Sequence, residues 1–196
     1  SAAALAVLSA AGLASAGSAT VYTDLASFMA QLDPGSYTNN FTGIPTGPVA
    51  SMNFGPVNGF AYTVSTQPGA LSGLYNDVGI VSTYNATYSI YVSFTGAPVT
   101  AVGGNFWGTD VSFFPNGATI NISLSDGTNV SYASTGPSDF RGFISNVAIS
   151  SIQIDASDLA GNSWATMDNL VVGAVPAPGA AAVLGLAGVA GLRRRR

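Results

Sequence analysis

An all-β fold, an antiparallel β-sandwich of jelly-roll type with one short helix near its start, is what this 196-residue sequence predicts. Three observations carry that expectation. Apolar and polar residues alternate with period two through the middle of the chain, Gly, Pro, Asn and Asp punctuate the alternating runs, and a single segment shows helical spacing. The body with this pattern covers residues 20–174. A chain of about 155 residues buries roughly 70% of its unfolded surface, so a core can hold it without cross-links. The sequence has no Cys to make any.

In chain order, residues 1–19 read as a secretory signal peptide without its basic n-region. Ala2 to Ala16 is an apolar run of h-region length, and the small-residue sites Ala14-Ser15-Ala16 and Gly17-Ser18-Ala19 place the cut before Gly17 or Thr20. Asp24 to Leu32 is the one helix, with Leu25, Phe28, Met29 and Leu32 on one face. Thr23 or Asp24 caps its start and Asp33-Pro34-Gly35 stops it. Strands follow. Tyr88, Ile90, Val92 and Phe94 alternate with Ser89, Tyr91 and Ser93, and Ile120, Ile122 and Leu124 alternate within Ala118 to Ser125. Asp126-Gly127 then signals a hairpin, because Gly takes a positive φ at no steric cost, and Val130 and Tyr132 resume the alternation. Ile149 to Ile154 and Asn169 to Val172 give two further strands. Phe60 to Val64, Val99 to Trp107 and Phe140 to Ile144 carry weaker patterns.

The charge inventory excludes much chemistry. All nine acids are Asp and all five bases are Arg, with no Glu, Lys, His or Cys. Ser-His-Asp and Cys-His nucleophiles, a lysine Schiff base, a Walker lysine and a Cys/His zinc site are all ruled out by residue type. Between Thr20 and Val175 a single Arg, Arg141, stands against nine Asp, a net charge of −8. Such a body repels phosphate backbones, so no nucleic-acid partner is expected. Glycoside hydrolysis by two carboxylates is the one enzyme class the residue types permit, with Asp155 and Asp158 the only close pair. The Asp residues sit among Gly, Asn, Ser and Thr rather than in apolar surroundings that would raise a general acid's pKa, so a non-catalytic protein is the expectation.

Two binding constellations remain. Tyr91, Trp107 and Trp164 are candidate platforms for the apolar face of a sugar, with Tyr75 and Tyr84 as a candidate rim; buried packing is the alternative for each. Asp155, Asp158 and Asp168, with Asn162 and Asn169 nearby, offer the oxygen ligands that calcium takes, against ordinary turn capping by the same side chains. No other cofactor is expected.

The chain ends in three parts: Val175-Pro176-Ala177-Pro178-Gly179, an uncharged stretch running from Ala174 to Leu192, and Arg193, Arg194, Arg195 and Arg196. The stretch holds 19 residues, close to the roughly 20 that span a bilayer as a helix. The arginines mark its cytoplasmic side, which puts the Asp-rich body outside. This arrangement resembles the PEP-CTERM sorting signal of Gram-negative bacteria, with Ala177 where the usual motif has Glu. The resemblance implies export by the general secretion machinery, transient membrane retention through the tail, and cleavage near Pro176 to Pro178 by an exosortase. The product would be delivered to the cell envelope or extracellular matrix.

The body is also similar to the β-sandwiches common in PEP-CTERM proteins. The similarity lies in Val102-Gly103-Gly104-Asn105-Phe106-Trp107, Ser125-Asp126-Gly127-Thr128, Phe140-Arg141-Gly142-Phe143-Ile144 and Met167-Asp168-Asn169-Leu170. It implies a fold family with no agreed activity, and a structural or adhesive, non-catalytic role at the surface is the expected function. A carbohydrate-binding module, stiffened by calcium and meeting extracellular polysaccharide, is the alternative.

Overall fold

The computed structural model describes residues 17–66, 73–159 and 161–176. In chain order these form β1 (Thr20–Tyr22), α1 (Leu25–Met29), β2 (Tyr37–Asn39), β3 (Gly47–Val49), β4 (Ser51–Val57), β5 (Phe60–Ser65), β6 (Leu74–Asp77) and β7 (Ile80–Thr83). They continue with β8 (Ile90–Gly96), β9 (Ala101–Thr109), β10 (Pro115–Asn116), β11 (Thr119–Leu124), β12 (Asn129–Ala133), β13 (Phe140–Ile144), β14 (Ser151–Ser157) and β15 (Trp164–Gly173). Two antiparallel sheets result. One has the order β1-β13-β9-β15-β7-β6-β3, with β10 beside β9 and β2 beside β15; the other runs β12-β11-β14-β8-β5-β4.

The second sheet follows from the alternation. Register places Val64, Val92, Ile152 and Leu124 in one row across its inner face, and Ile90, Ile154 and Ile122 in the next. These side chains meet Val102, Phe106, Phe143, Ala165, Met167, Leu170 and Val172 of the first sheet in one continuous core. Its outer face is dressed with hydroxyls and amides. Thr63 donates to Asn53 at 2.6 Å, Ser123 to Asn129 at 2.6 Å and Ser131 to Asn121 at 2.8 Å. Cross-strand polar pairs of this kind solvate a face that carries almost no charge.

The first sheet does not keep the half-buried pattern. All of β9 except Asn105 is buried, and β15 is buried over most of its length. This sheet is covered on its outer face as well, at one end by α1. Strands covered on both faces lose the alternation that would announce them, which is why Val99 to Trp107 reads weakly in sequence.

The helix is shorter than the expected Asp24 to Leu32. Asp24 caps it through Ser27 N–H at 2.7 Å, as expected, but beyond Met29 the bonds tighten to i→i−3, from Gln31 to Phe28 and from Leu32 to Met29. Only Phe28 is buried; Leu25 and Met29 are 45% and 36% exposed. The helix docks through that one ring because the sheet beneath it is made of glycine. Gly142 and Gly103 face each other in register, and a Cβ on Gly142 would lie 2.5 Å from Phe28 Cδ2.

The Asp126-Gly127 turn forms as expected. Gly127 has φ +95°, Leu124 N–H donates to Thr128 at 2.9 Å, and Asp126 Oδ1 accepts from Thr128 N–H at 2.9 Å. Arg141, on β13, lays its guanidinium 3.7 Å from the centroid of Tyr132 on β12 and so ties the two sheets together. The hydroxyl of Tyr132 donates to Phe106 O at 2.7 Å, and burial pushes its phenol pKa well up, against the lowering effect of Arg141.

Candidate functional site

One concave surface lies on the outer face of the first sheet, opposite the end covered by α1. It begins with the β6–β7 hairpin, whose turn residues Val78 and Gly79 both have positive φ, +42° and +90°, as a two-residue hairpin turn requires. Leu74 and Val81 point into the core, so the intervening Tyr75 and Ser82 point outward as a register pair. Tyr84 follows Ser82 on the same face and sits diagonally from Tyr75. Diagonal neighbours are within reach of aromatic rings, and the two rings stack with centroids 6.3 Å apart at 24°.

The row continues across the sheet. Ser82 pairs with Thr166, and Thr166 with Trp107, while Trp164 pairs with Thr109 in the row beyond. Three buried hydroxyls form a chain beneath the rings: Ser82 Oγ to Thr166 Oγ1 at 2.9 Å, and Thr166 Oγ1 to Thr109 Oγ1 at 3.0 Å.

After β9 the chain turns through Asp110. The carboxylate oxygen Oδ1 accepts from Ser112 N–H at 2.8 Å and from Phe114 N–H at 3.0 Å. Phe113 takes φ +63° inside this turn and packs its ring 5.3 Å from that of Tyr75. Tyr75, Tyr84, Phe113 and Trp164, with Thr83, Asp110 and Val111, enclose a groove of about 390 Å³, a size typical of small-molecule sites. Tyr84 and Val111 on its rim are 55% and 74% exposed.

The sequence candidates separate on this framework. Trp164 and the rim pair Tyr75 and Tyr84 come together in the groove. Trp107 lies on the same outer face one row away, but it is only 2% exposed, so its ring offers no platform. Tyr91 is half-buried on the other sheet, in register between Ser65 and Gln153, and no ring stacks on it among the described residues. Phe113 was not singled out in the sequence, and Asp110 stood out there only as a polar neighbour of Trp107. The signal available was Asp110-Val111-Ser112, an Asp two residues before a Ser, which often marks a side-chain-capped turn.

The three Asp residues weighed as calcium ligands against turn capping do not come together. Asp155 lies on β14 in one sheet and accepts from Ser89 Oγ at 3.3 Å, whereas Asp168 lies on β15 in the other. Asp158 caps its own loop, accepting from Asn162 N–H at 3.0 Å and Ser163 Oγ at 2.8 Å. Among the described residues no three acidic side chains group as a metal site. The separation follows from connectivity: residues close in sequence sit on strands that cross from one sheet to the other.

Asp168 accepts from the backbone and side-chain N–H of Asn169, which bulges out of β15 at φ +50°. Burial raises the Asp168 pKa above 3.8, more than the Asn169 N–H lowers it. An acid with a raised folded pKa destabilises the fold above that pKa, and the penalty fades as pH falls through it. Asp168→Asn is therefore expected to raise Tm near pH 7 and to leave it unchanged near about pH 3, as thermal melts at both values would show.

Of the sorting residues, Val175 and Pro176 are described; Ala177, Pro178, Gly179 and Arg193 to Arg196 lie outside the described residues, as do residues 1–16 of the expected signal peptide. Among the described residues no helix is long and apolar enough to cross a membrane. Val175 N–H donates to Thr100 Oγ1 at 3.0 Å, and Ser18, Thr20, Val175 and Pro176 line one groove. The two ends of the body thus lie side by side. No protein-family model matches the chain, and comparison with curated proteins and with solved structures gives no match.

Proposed function

We propose that this chain is a secreted, exosortase-sorted surface or matrix protein whose sandwich binds carbohydrate without transforming it. The groove of Tyr75, Tyr84, Phe113 and Trp164 carries the reading. Ring faces set at an angle to one another suit the C–H faces of a sugar, and Asp110 and the tyrosine hydroxyls at the edge suit its hydroxyl groups. The finer assignment to the jelly-roll type is supported by the path of the chain, which passes from one sheet to the other between β3 and β4, β5 and β6, β7 and β8, β8 and β9, β10 and β11, β12 and β13, β13 and β14, and β14 and β15.

Binding of the full-length protein to a glycan panel tests the site. A positive glycan should lose at least about tenfold in affinity on Trp164→Ala or Tyr84→Ala, since central aromatic anchors contribute about 2 kcal/mol or more. Tyr91→Ala on the other sheet should leave affinity unchanged, and so should a chelator. Silence across the panel, or equal loss on Tyr91→Ala, sinks the proposal and leaves a structural component.

Sorting is supported by the order of features in the tail and by the adjacency of the two ends of the body, which lets both apolar segments address one membrane. The intact mass of protein recovered from the surface of its host should correspond to loss of everything beyond the Pro176 to Pro178 region. Retention of Arg193 to Arg196 would instead make it a tail-anchored membrane protein.

A further inference from the structure

The body begins three residues before β1. Gly17 is buried, and an added Cβ there would lie 2.5 Å from Val147 Cγ2, 3.1 Å from Ser145 Oγ and 3.2 Å from Asp126 Cβ. Ala19 N–H donates to Thr128 Oγ1 at 2.8 Å, so residues 17–19 are fastened to the Asp126-Gly127 turn. That turn holds a buried carboxylate. Asp126 is 7% exposed, its Oδ1 is used by Thr128 N–H, and its Oδ2 is buried without a hydrogen-bond partner among the described residues. Burial pushes the Asp126 pKa up, but hydrogen bonding from the nearby Ser145 and from Thr128 outweighs it, so the group is an anion at neutral pH. No cation faces this carboxylate among the described residues, and a buried charge without one is costly.

The residue lodged against Asp126 is the one that follows Ala14-Ser15-Ala16. We propose that signal cleavage falls between Ala16 and Gly17, and that the α-ammonium so created is captured by the buried Asp126 carboxylate, locking the mature amino terminus into the fold. This rests on the export reading above. The competing cut before Thr20 would discard Gly17 from its pocket and remove the Ala19 hydrogen bond. Cleavage is hydrolysis: water adds across the Ala16–Gly17 peptide bond, leaving the Ala16 carboxylate on the released peptide and a protonated amine on Gly17. A side chain at this position would press on Val147, and the new charge appears beside a carboxylate that no cation faces.

The sequence supplies an unusually clean test, because it contains no Lys. Within this sequence the amino terminus is therefore the one primary amine. The mature protein is recovered from its secreting host, its amino terminus is sequenced, and its modification by an amine-directed acyl ester is followed by intact mass near neutral pH. Gly17 is expected as the first residue. An opposite charge a few ångströms away raises an amine's pKa by about 1–3 units, so the amine should react at least about tenfold more slowly than in Asp126→Asn. That variant keeps the turn, since Asn-Gly is equally suited to it and still offers an oxygen to Thr128. Wild-type protein unfolded in urea should react as fast as the variant.

A first residue of Thr20 overturns the proposal while leaving export intact. An uncleaved amino terminus overturns the export reading and the proposal with it. Gly17 as first residue with equal rates in wild type and Asp126→Asn overturns the capture.

Discussion

Phe28→Ala should lower the unfolding free energy by about 3–5 kcal/mol, the usual cost of deleting a fully buried aromatic ring. Phe28 is 0% exposed and forms most of what α1 contributes to the interior, packing with Phe140 at 5.5 Å and Tyr22 at 6.0 Å. The glycine floor beneath it gives the experiment a second arm. Gly142→Ala places a methyl 2.5 Å from Phe28 Cδ2, 2.7 Å from Cγ and 3.0 Å from Phe140 Cε1. Overpacking of this kind costs about 1–3 kcal/mol. The double variant should cost less than the sum, because the new methyl enters space the ring has left. Urea unfolding of the four proteins measures the cycle. Strict additivity, or a cost below about 1 kcal/mol for Phe28→Ala, would mean that the helix is not seated on the sheet as described.

Thr166→Val should be the most damaging single change on the floor of the groove. Thr166 Oγ1 lies at the centre of the hydroxyl chain between Ser82 and Thr109. Valine has nearly the same shape, so the loss is of hydrogen bonding. Ser82 keeps a bond to Ala165 O at 3.2 Å, whereas Thr109 loses the one its hydroxyl makes. Stranding a buried hydroxyl costs about 1–3 kcal/mol. Replacing its partner as well should restore much of the loss, so Thr109→Val/Thr166→Val is expected to be more stable than Thr166→Val alone. The opposite order in thermal melts would show that the chain of hydroxyls is not what holds these strands in place.

Much of the architecture was legible in the residues because local rules and the final fold agree. Alternation around Ile90, Ile122 and Ile154 gave strands whose apolar faces do line the core, and Asp126-Gly127 gave its hairpin, since the chemistry that sets a strand face or a tight turn lies within a few residues. Between Tyr75 and Tyr84 the sequence shows a turn region of Asn, Val and Gly, but not the strands β6 and β7 on either side of it. The turn is Val78-Gly79, and a valine at positive φ is disfavoured locally, so the hairpin signal is weak. The helix boundary was overreached because Leu25, Met29 and Leu32 have helical spacing, yet Leu25 and Met29 stay exposed and Leu32 packs only partly, beyond the end of the helix; Phe28 alone meets the glycine pair.

The candidate groove shows the same division. Trp164, Tyr75 and Tyr84 could be picked out as aromatic residues in polar settings, and Trp107 met the same criteria yet is buried. What separates Trp107 from Trp164 is one row of register on a shared face, and register is fixed by partners tens of residues away. Tyr75 and Phe113 meet only because β6 and the turn after β9 reach the same end of the sheet. The three Asp residues considered for calcium are dispersed for that reason too: Asp155 and Asp168 are 13 residues apart in sequence, and the strand crossover sends them to different sheets.

By itself the sequence determined the β class, the positions of the alternating strands, and the chemistry closed to a chain with no Glu, Lys, His or Cys. These follow from residue type and short-range spacing, which sterics and hydrophobic burial read directly. Tertiary structure alone decided that one sheet is buried on both faces, that glycines seat Phe28, which aromatics meet in the groove, and that Gly17 lies against Asp126. Each of those depends on long-range pairing, where the energy of a contact belongs to two distant segments at once and neither carries its signature alone.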